Sequence, residues 1–133
     1  HGDSEFAAWS TGAAGGLGIR QWPGYDAVRA GELFEQARRA AYEIIRRKRA
    51  TYYAIGAACS LIAETVLRDQ RTILPVSVPS EGRYGTAPVF LSLPCVLGRG
   101  GVERVIEPRL EDAEVQALRR SADAIARAFS SIP

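Results

Sequence analysis

TILPVSVPSEGRYGTAPVFLSLPCVLGRGGVERVI (72–106) decides the fold. TILPVSV (72–78) is β-branched and apolar, PSEGRYGTA (79–87) carries turn chemistry, and VFLSL (89–93) reads as a second strand. LGRGG (97–101) is a further turn, and VERVI (102–106) alternates again. Three strands joined by short glycine-containing turns predict an antiparallel meander. Working outward, Leu33, Phe34, Ala37, Ala40, Ala41, Ile44 and Ile45 recur at helical spacing from about residue 32. Arg38, Arg39, Glu43, Arg46 and Arg47 take the opposite face. A second helix is predicted over 52–68, with Ile55, Ala58, Cys59, Ile62, Ala63, Val66 and Leu67 inward. Ala50 and Thr51 stand at the junction, where a short break would aim side chains from a helix end into a cleft. A last helix is predicted over 112–129, with Val115, Leu118, Ala122, Ile125, Ala126 and Phe129 on one stripe. Glu111, Asp112 and Glu114 gather at its start, as the helix dipole prefers.

GAAGGLGIRQWPG (12–24) has no clean period and is read as loop. The order of elements makes the chain α+β, an antiparallel sheet packed with long helices. GAAGGLG (12–18) follows no strand and nothing alternates as βαβ, so no Rossmann fold is expected in this chain. At 133 residues it forms one domain, 1–133, with 47% hydrophobic and 24% charged residues. A net charge of +2, with no basic stretch interleaved with aromatics, excludes a nucleic-acid binder. The longest mainly apolar window, 52–67, contains Gly56, Ser60, Glu64 and Thr65, so no membrane span is expected. Cys59 and Cys95 lie far apart, without metal-ligand spacing, and are expected to be reduced, buried small hydrophobes. With no signal peptide expected, the location is read as cytoplasmic.

The single histidine is His1, and the chain has no methionine. A chain opening on His-Gly-Asp reads as processed, cut, or part of something longer. Imidazole titrates near neutrality, so His1 is the first candidate for moving a proton, with Asp3 a possible orienting partner. Copper held by the terminal amine and imidazole would need a second imidazole, which the sequence lacks, and no metal site is expected. Ser4 and Ser10 lack the glycine-flanked elbow of a hydrolase, and there is no other histidine to act as their base. Arg99 is read as a solvated turn arginine, RRKR (46–49) as a solvated helix terminus, and Tyr52 and Tyr53 as half-buried.

HGDSEFAAWS (1–10), RRKRATYYAIGAA (46–58), ILPVSV (73–78) and VFLSLPCVLGRGGVERVIE (89–107) together resemble the C-terminal half of bacterial-type L-lactate dehydrogenases. The resemblance runs through nearly the whole chain and is weakest over 17–36. It implies an NAD-dependent enzyme interconverting pyruvate and L-lactate in glycolysis or fermentation, with His1 as proton donor and acceptor. It implies that Thr51 sits beside the small substituent of the 2-oxo acid and that Ile55 lines the nicotinamide pocket. Malate dehydrogenases of the same superfamily tend to read Ser-Ala-Tyr-Tyr-Ala-Pro where this chain reads ATYYAIG (50–56), which favours lactate. Family members are usually homotetramers. Their NAD-binding half precedes the histidine motif and carries the aspartate that pairs with it and the arginines that grip the substrate. This chain alone is therefore expected to be inactive. Two other readings remain at this point: a malate or broader 2-hydroxyacid dehydrogenase, and a non-catalytic domain that kept the fold for assembly.

Overall fold

A computed structural model describes residues 4–131. The meander is present: β3 (Thr72–Pro79), β4 (Phe90–Gly98) and β5 (Gly101–Val105) form an antiparallel sheet in that order. Register fixes the buried face. Val78 lies opposite Leu91, Val76 opposite Leu93 and Leu74 opposite Cys95, so the alternate positions of both strands point the same way. That face meets Leu118 and Ala122 of α3 (Asp112–Ser130), with Phe6 and with Val66 of α2 (Tyr53–Leu67) packed against the same cluster.

β4 runs further than VFLSL (89–93), straight through Pro94. Pro94 lies opposite Pro75, and neither has an N–H to donate. Two prolines can face each other only at a pair that exchanges no hydrogen bonds, so the ladder continues on either side. The pairing of β4 with β5 starts one residue later, at Cys95, and shifts register between Val96 and Leu97.

α1 (Ala27–Lys48) begins about five residues before the expected start. Asp26 is its N-cap, and its side chain accepts from the Val28 N–H at 2.8 Å. The helix ends at Arg49, which takes a left-handed backbone (φ 65°) and donates its N–H to the Ile45 carbonyl. The break at Ala50 and Thr51 thus exists, and α2 follows it. A feature not expected is a small hairpin, β1 (Ala13–Ala14) with β2 (Leu17–Gly18). Gly15 and Gly16 both carry positive φ, which its two-residue turn requires.

The expected inward stripes of α1 and α2 are not covered by this chain. On α1 only Ala30 is buried, and Leu33, Ile44 and Ile45 are exposed. On α2 only Thr65 is buried, while Ile55, Leu61, Ile62 and Leu67 are exposed. The same holds for three other expectations. Cys95 is fully buried but Cys59 is exposed, and Tyr52 and Tyr53 are exposed rather than half-buried. For α2, and for Cys59, Tyr52 and Tyr53 on it or at its start, the physical reason is the same: α2 is apolar around most of its circumference, and the sheet covers only one side of it. Among the described residues no helix is long and apolar enough to cross a membrane.

Candidate functional site

The site residues read from the sequence fall at two places. His1 and Asp3 lie outside the described residues. Thr51 lies in the linker between α1 and α2, and Ile55 lies in the first turn of α2; both are exposed, Ile55 by 65%. The structure brings these two to one helix end, and among the described residues no cleft closes over them. Around them the surface is aromatic and basic: the Tyr52 and Tyr53 rings lie 4.9 Å apart, and the Lys48 ammonium is 5.9 Å from the Tyr53 ring centroid.

The segment that leads from His1 is held against α3. The Ser4 and Ser121 hydroxyls share a hydrogen bond of 3.1 Å. Phe6 packs on the core cluster that contains Leu118. The Ser10 N–H donates to Glu114 Oε1 at 3.0 Å, and its hydroxyl donates to Glu114 Oε2. Glu114 also accepts from the Glu111 N–H at 3.0 Å, closing a capping box at the start of α3. Burial pushes the Glu114 pKa up. The two Ser10 donors, the Glu111 N–H and the nearby Arg20 charge outweigh that and hold its carboxyl below the ordinary range. Arg20 pairs with Glu111, which raises its own pKa.

Sequence reasoning placed Glu114 among acidic residues answering the helix dipole and considered Ser4 and Ser10 only as nucleophiles. A signal was available. Glu114 falls on the α3 stripe with Leu118, Ser121 and Ala122, at offsets of four, seven and eight, so its side chain has to enter the core.

A concavity of about 640 Å³ opens between Glu5 and the α1 residues Arg38, Arg39, Tyr42, Glu43 and Arg46. It is not an anion trap, because Arg38 pairs with Glu35 and Arg46 with Glu43, each at 2.8 Å. Neither Thr51 nor Ile55 lines it. Arg99 is exposed in the β4–β5 turn, where its N–H donates to Asp69 at 2.8 Å, in line with its reading as a turn residue. Arg46 and Arg47 of RRKR (46–49) are exposed and both pair with Glu43. Among the described residues there is no group of three or more metal-ligating side chains.

In this α+β domain one face of the meander is packed while the second helix keeps an apolar surface that no described residue covers. Over residues 1–131 the chain matches the lactate/malate dehydrogenase, alpha/beta C-terminal domain, and it belongs to that family. It is 48% identical over 133 residues to an L-lactate dehydrogenase of Synechococcus sp., covering 99% of this chain and 44% of that protein. It is 46% identical over 132 residues to one from Salinibacter ruber, covering 94% of this chain and 41% of that protein. The minor L-lactate dehydrogenase of Enterococcus mundtii, solved in a ligand-bound form, superposes with a TM-score of 0.93 at 31% identity. That match covers 100% of this chain and 44% of the solved one. A lactate dehydrogenase from a Medee basin deep-sea metagenome library gives a TM-score of 0.90 at 34% identity, over 98% and 43%. The chain therefore spans less than half the length of the relatives it matches.

Proposed function

We propose that residues 1–133 form the substrate-binding and catalytic domain of an NAD-dependent L-lactate dehydrogenase that interconverts pyruvate and L-lactate. The observation that carries this reading is the likeness to L-lactate dehydrogenases along 99% of the chain. The exposed Thr51 and Ile55 at one end of an uncovered apolar helix support it, because a pocket wall shared with another domain looks like this when seen from one side. An NAD-binding half of the same protein is the partner that completes the site, and the assembled enzyme is a cytoplasmic homotetramer.

The residues present fit one wall of a nicotinamide site and no more. Ile55 offers an exposed aliphatic surface suited to the uncharged reduced ring, and the glycine-rich run 12–18 forms a small hairpin rather than a phosphate loop. When bound, NADH supplies the hydride that the ketone carbon of pyruvate accepts. His1 in its imidazolium form donates a proton to the ketone oxygen, and its neutral form accepts the hydroxyl proton of lactate in reverse. Thr51 lies beside the small substituent and limits its size, which favours the methyl of pyruvate over the carboxymethyl of oxaloacetate.

The test is a pH profile in the longest native polypeptide that contains these residues. Pyruvate reduction should fall as pH rises through the imidazole range, lactate oxidation should rise through it, and His1→Gln should lower both about 10²–10⁴-fold. A His1→Gln enzyme with wild-type rates would contradict the reading. No turnover of either substrate by that native polypeptide would leave a domain kept for assembly.

A further inference from the structure

We propose that Glu114 and Ser121 of α3 are positioning residues for the proton carrier, pegging the segment that leads from His1 to the helix at two points. The inference rests on the reading of His1 given above. Two contacts along the segment fall in reverse order along α3, Ser4 on Ser121 and Ser10 on Glu114, and Phe6 between them packs on the core cluster of the sheet and α3. The segment therefore runs antiparallel to the helix, and its first peg lies three residues from His1.

The chemistry of the second peg is more than a cap requires. A capping-box glutamate needs only the N–H of the N-cap residue and can stay in solvent. Glu114 is instead 6% exposed, and a buried carboxylate is costly unless its oxygens are filled. Both oxygens are filled from Ser10, one by the backbone N–H and one by the hydroxyl. A main-chain donor fixes the backbone itself, and charge-assisted hydrogen bonds are the strong class. The groups facing this carboxylate from the neighbouring elements are Ser10, Glu111 and Arg20, the last at 3.8 Å. A serine pair and a buried carboxylate on the core stripe serve packing poorly, since leucine or alanine would fill the same positions. What they provide is a fixed register between the segment and α3. A general acid misplaced by about 1 Å can lose on the order of 10²-fold in rate.

The experiment uses the longest native polypeptide, with Ser10→Ala, Ser10→Thr, Glu114→Gln, Ser121→Ala and the Ser10→Ala/Glu114→Gln double variant beside His1→Gln. Turnover, KM for pyruvate, the pH profile and the thermal midpoint are measured for each. The expected result is a loss of about tenfold in kcat for Ser10→Ala and Glu114→Gln, with KM within about twofold of wild type. The apparent pKa of the reduction profile shifts with them, Ser10→Thr recovers most of the rate, and the double variant is no worse than its worse parent. Ser121→Ala gives a smaller loss of the same kind. A lowered thermal midpoint with wild-type kcat and pH profile would overturn the proposal and leave a purely structural link. If Glu114→Gln fails to fold, Ser10→Ala still decides, because it leaves the capping box at Glu111 intact. Should His1→Gln keep wild-type activity, the proton-carrier reading falls and this proposal with it. Should His1→Gln be inactive while Ser10→Ala is unaffected, only the positioning proposal falls.

Discussion

On α3 four residues are buried: Leu118 and Ala122 against the sheet, Glu114 and Ser121 under the segment that carries Ser10 and Ser4. On α2, which is richer in apolar side chains, only Thr65 is buried, and Tyr53, Ile55 and Leu67 stand in solvent. α3 has a polar face for water and an apolar stripe that is buried at Leu118 and Ala122 and partly buried at Val115, Ile125 and Ala126, with only Phe129 at its end exposed. α2 has no polar face to spare, so the sheet meets one side and the rest is left bare. A helix that is apolar most of the way round belongs in an interior. The difference separates what the domain completes by itself from what it offers to a partner, and the proposed substrate-side residues lie on the uncovered helix end. The segment 4–10, which follows the proposed proton carrier in sequence, is held on α3.

Core truncation gives the largest expected contrast between the two helices. Leu118→Ala should destabilise the chain by about 2–5 kcal/mol in thermal or denaturant unfolding. Leu61→Ala on α2 should change it by no more than about 0.5 kcal/mol. In the longest native polypeptide that contains these residues the Leu61 cost should rise; if it stays the same there, α2 has no partner and the comparison breaks. Acid comes next. The Glu114 pKa is depressed in the fold, so the stability it contributes is fully present above the ordinary carboxylate range and lost as pH falls through its lowered value. Unfolding measured from neutral pH downward should show that loss for wild type and not for Glu114→Gln. Asp26→Ala should cost about 1 kcal/mol by removing the cap of α1, read as lost helicity and a lower unfolding midpoint. Smallest of all is Arg68→Ala at the end of α2, whose exposed pair with Glu64 at 2.9 Å should be worth a few tenths of a kcal/mol. A larger loss would mean that this end of α2 is held more firmly than its exposure suggests.

The strands and helices were legible because their periods are clean. Leu74, Val76 and Val78 lie against Leu91, Leu93 and Cys95 in a one-sided sheet, and all but Cys95 fall in the strands that the sequence pattern marks. The observed β4 runs beyond 89–93 because Pro94 is tolerated where Pro75 lies opposite, a fact of register that local sequence does not carry. α1 was begun late because Val28 to Gly31 carries no apolar period, although Asp26 supplied the cap. The hairpin at Gly15 and Gly16 was missed because its strands are two residues long, too short to alternate. Burial of Cys59, Tyr52, Tyr53 and the α2 stripe was overestimated for one reason: periodicity tells which face wants cover and says nothing of whether this chain supplies it. For the candidate site, Thr51 and Ile55 were placed by resemblance, and the structure puts both at one helix end in solvent. The anchoring role of Glu114 is not legible in the sequence because a carboxylate near a helix start is already accounted for by the helix dipole.

The most direct test of the central claim is a steady-state comparison of pyruvate and oxaloacetate with NADH, using the longest native polypeptide that contains these residues. A strong preference for pyruvate in kcat/KM, weakened when Thr51 is replaced by alanine, is the result expected of a lactate dehydrogenase whose α2 end forms the substrate wall. A preference for oxaloacetate, or a pyruvate preference indifferent to Thr51→Ala, would contradict it.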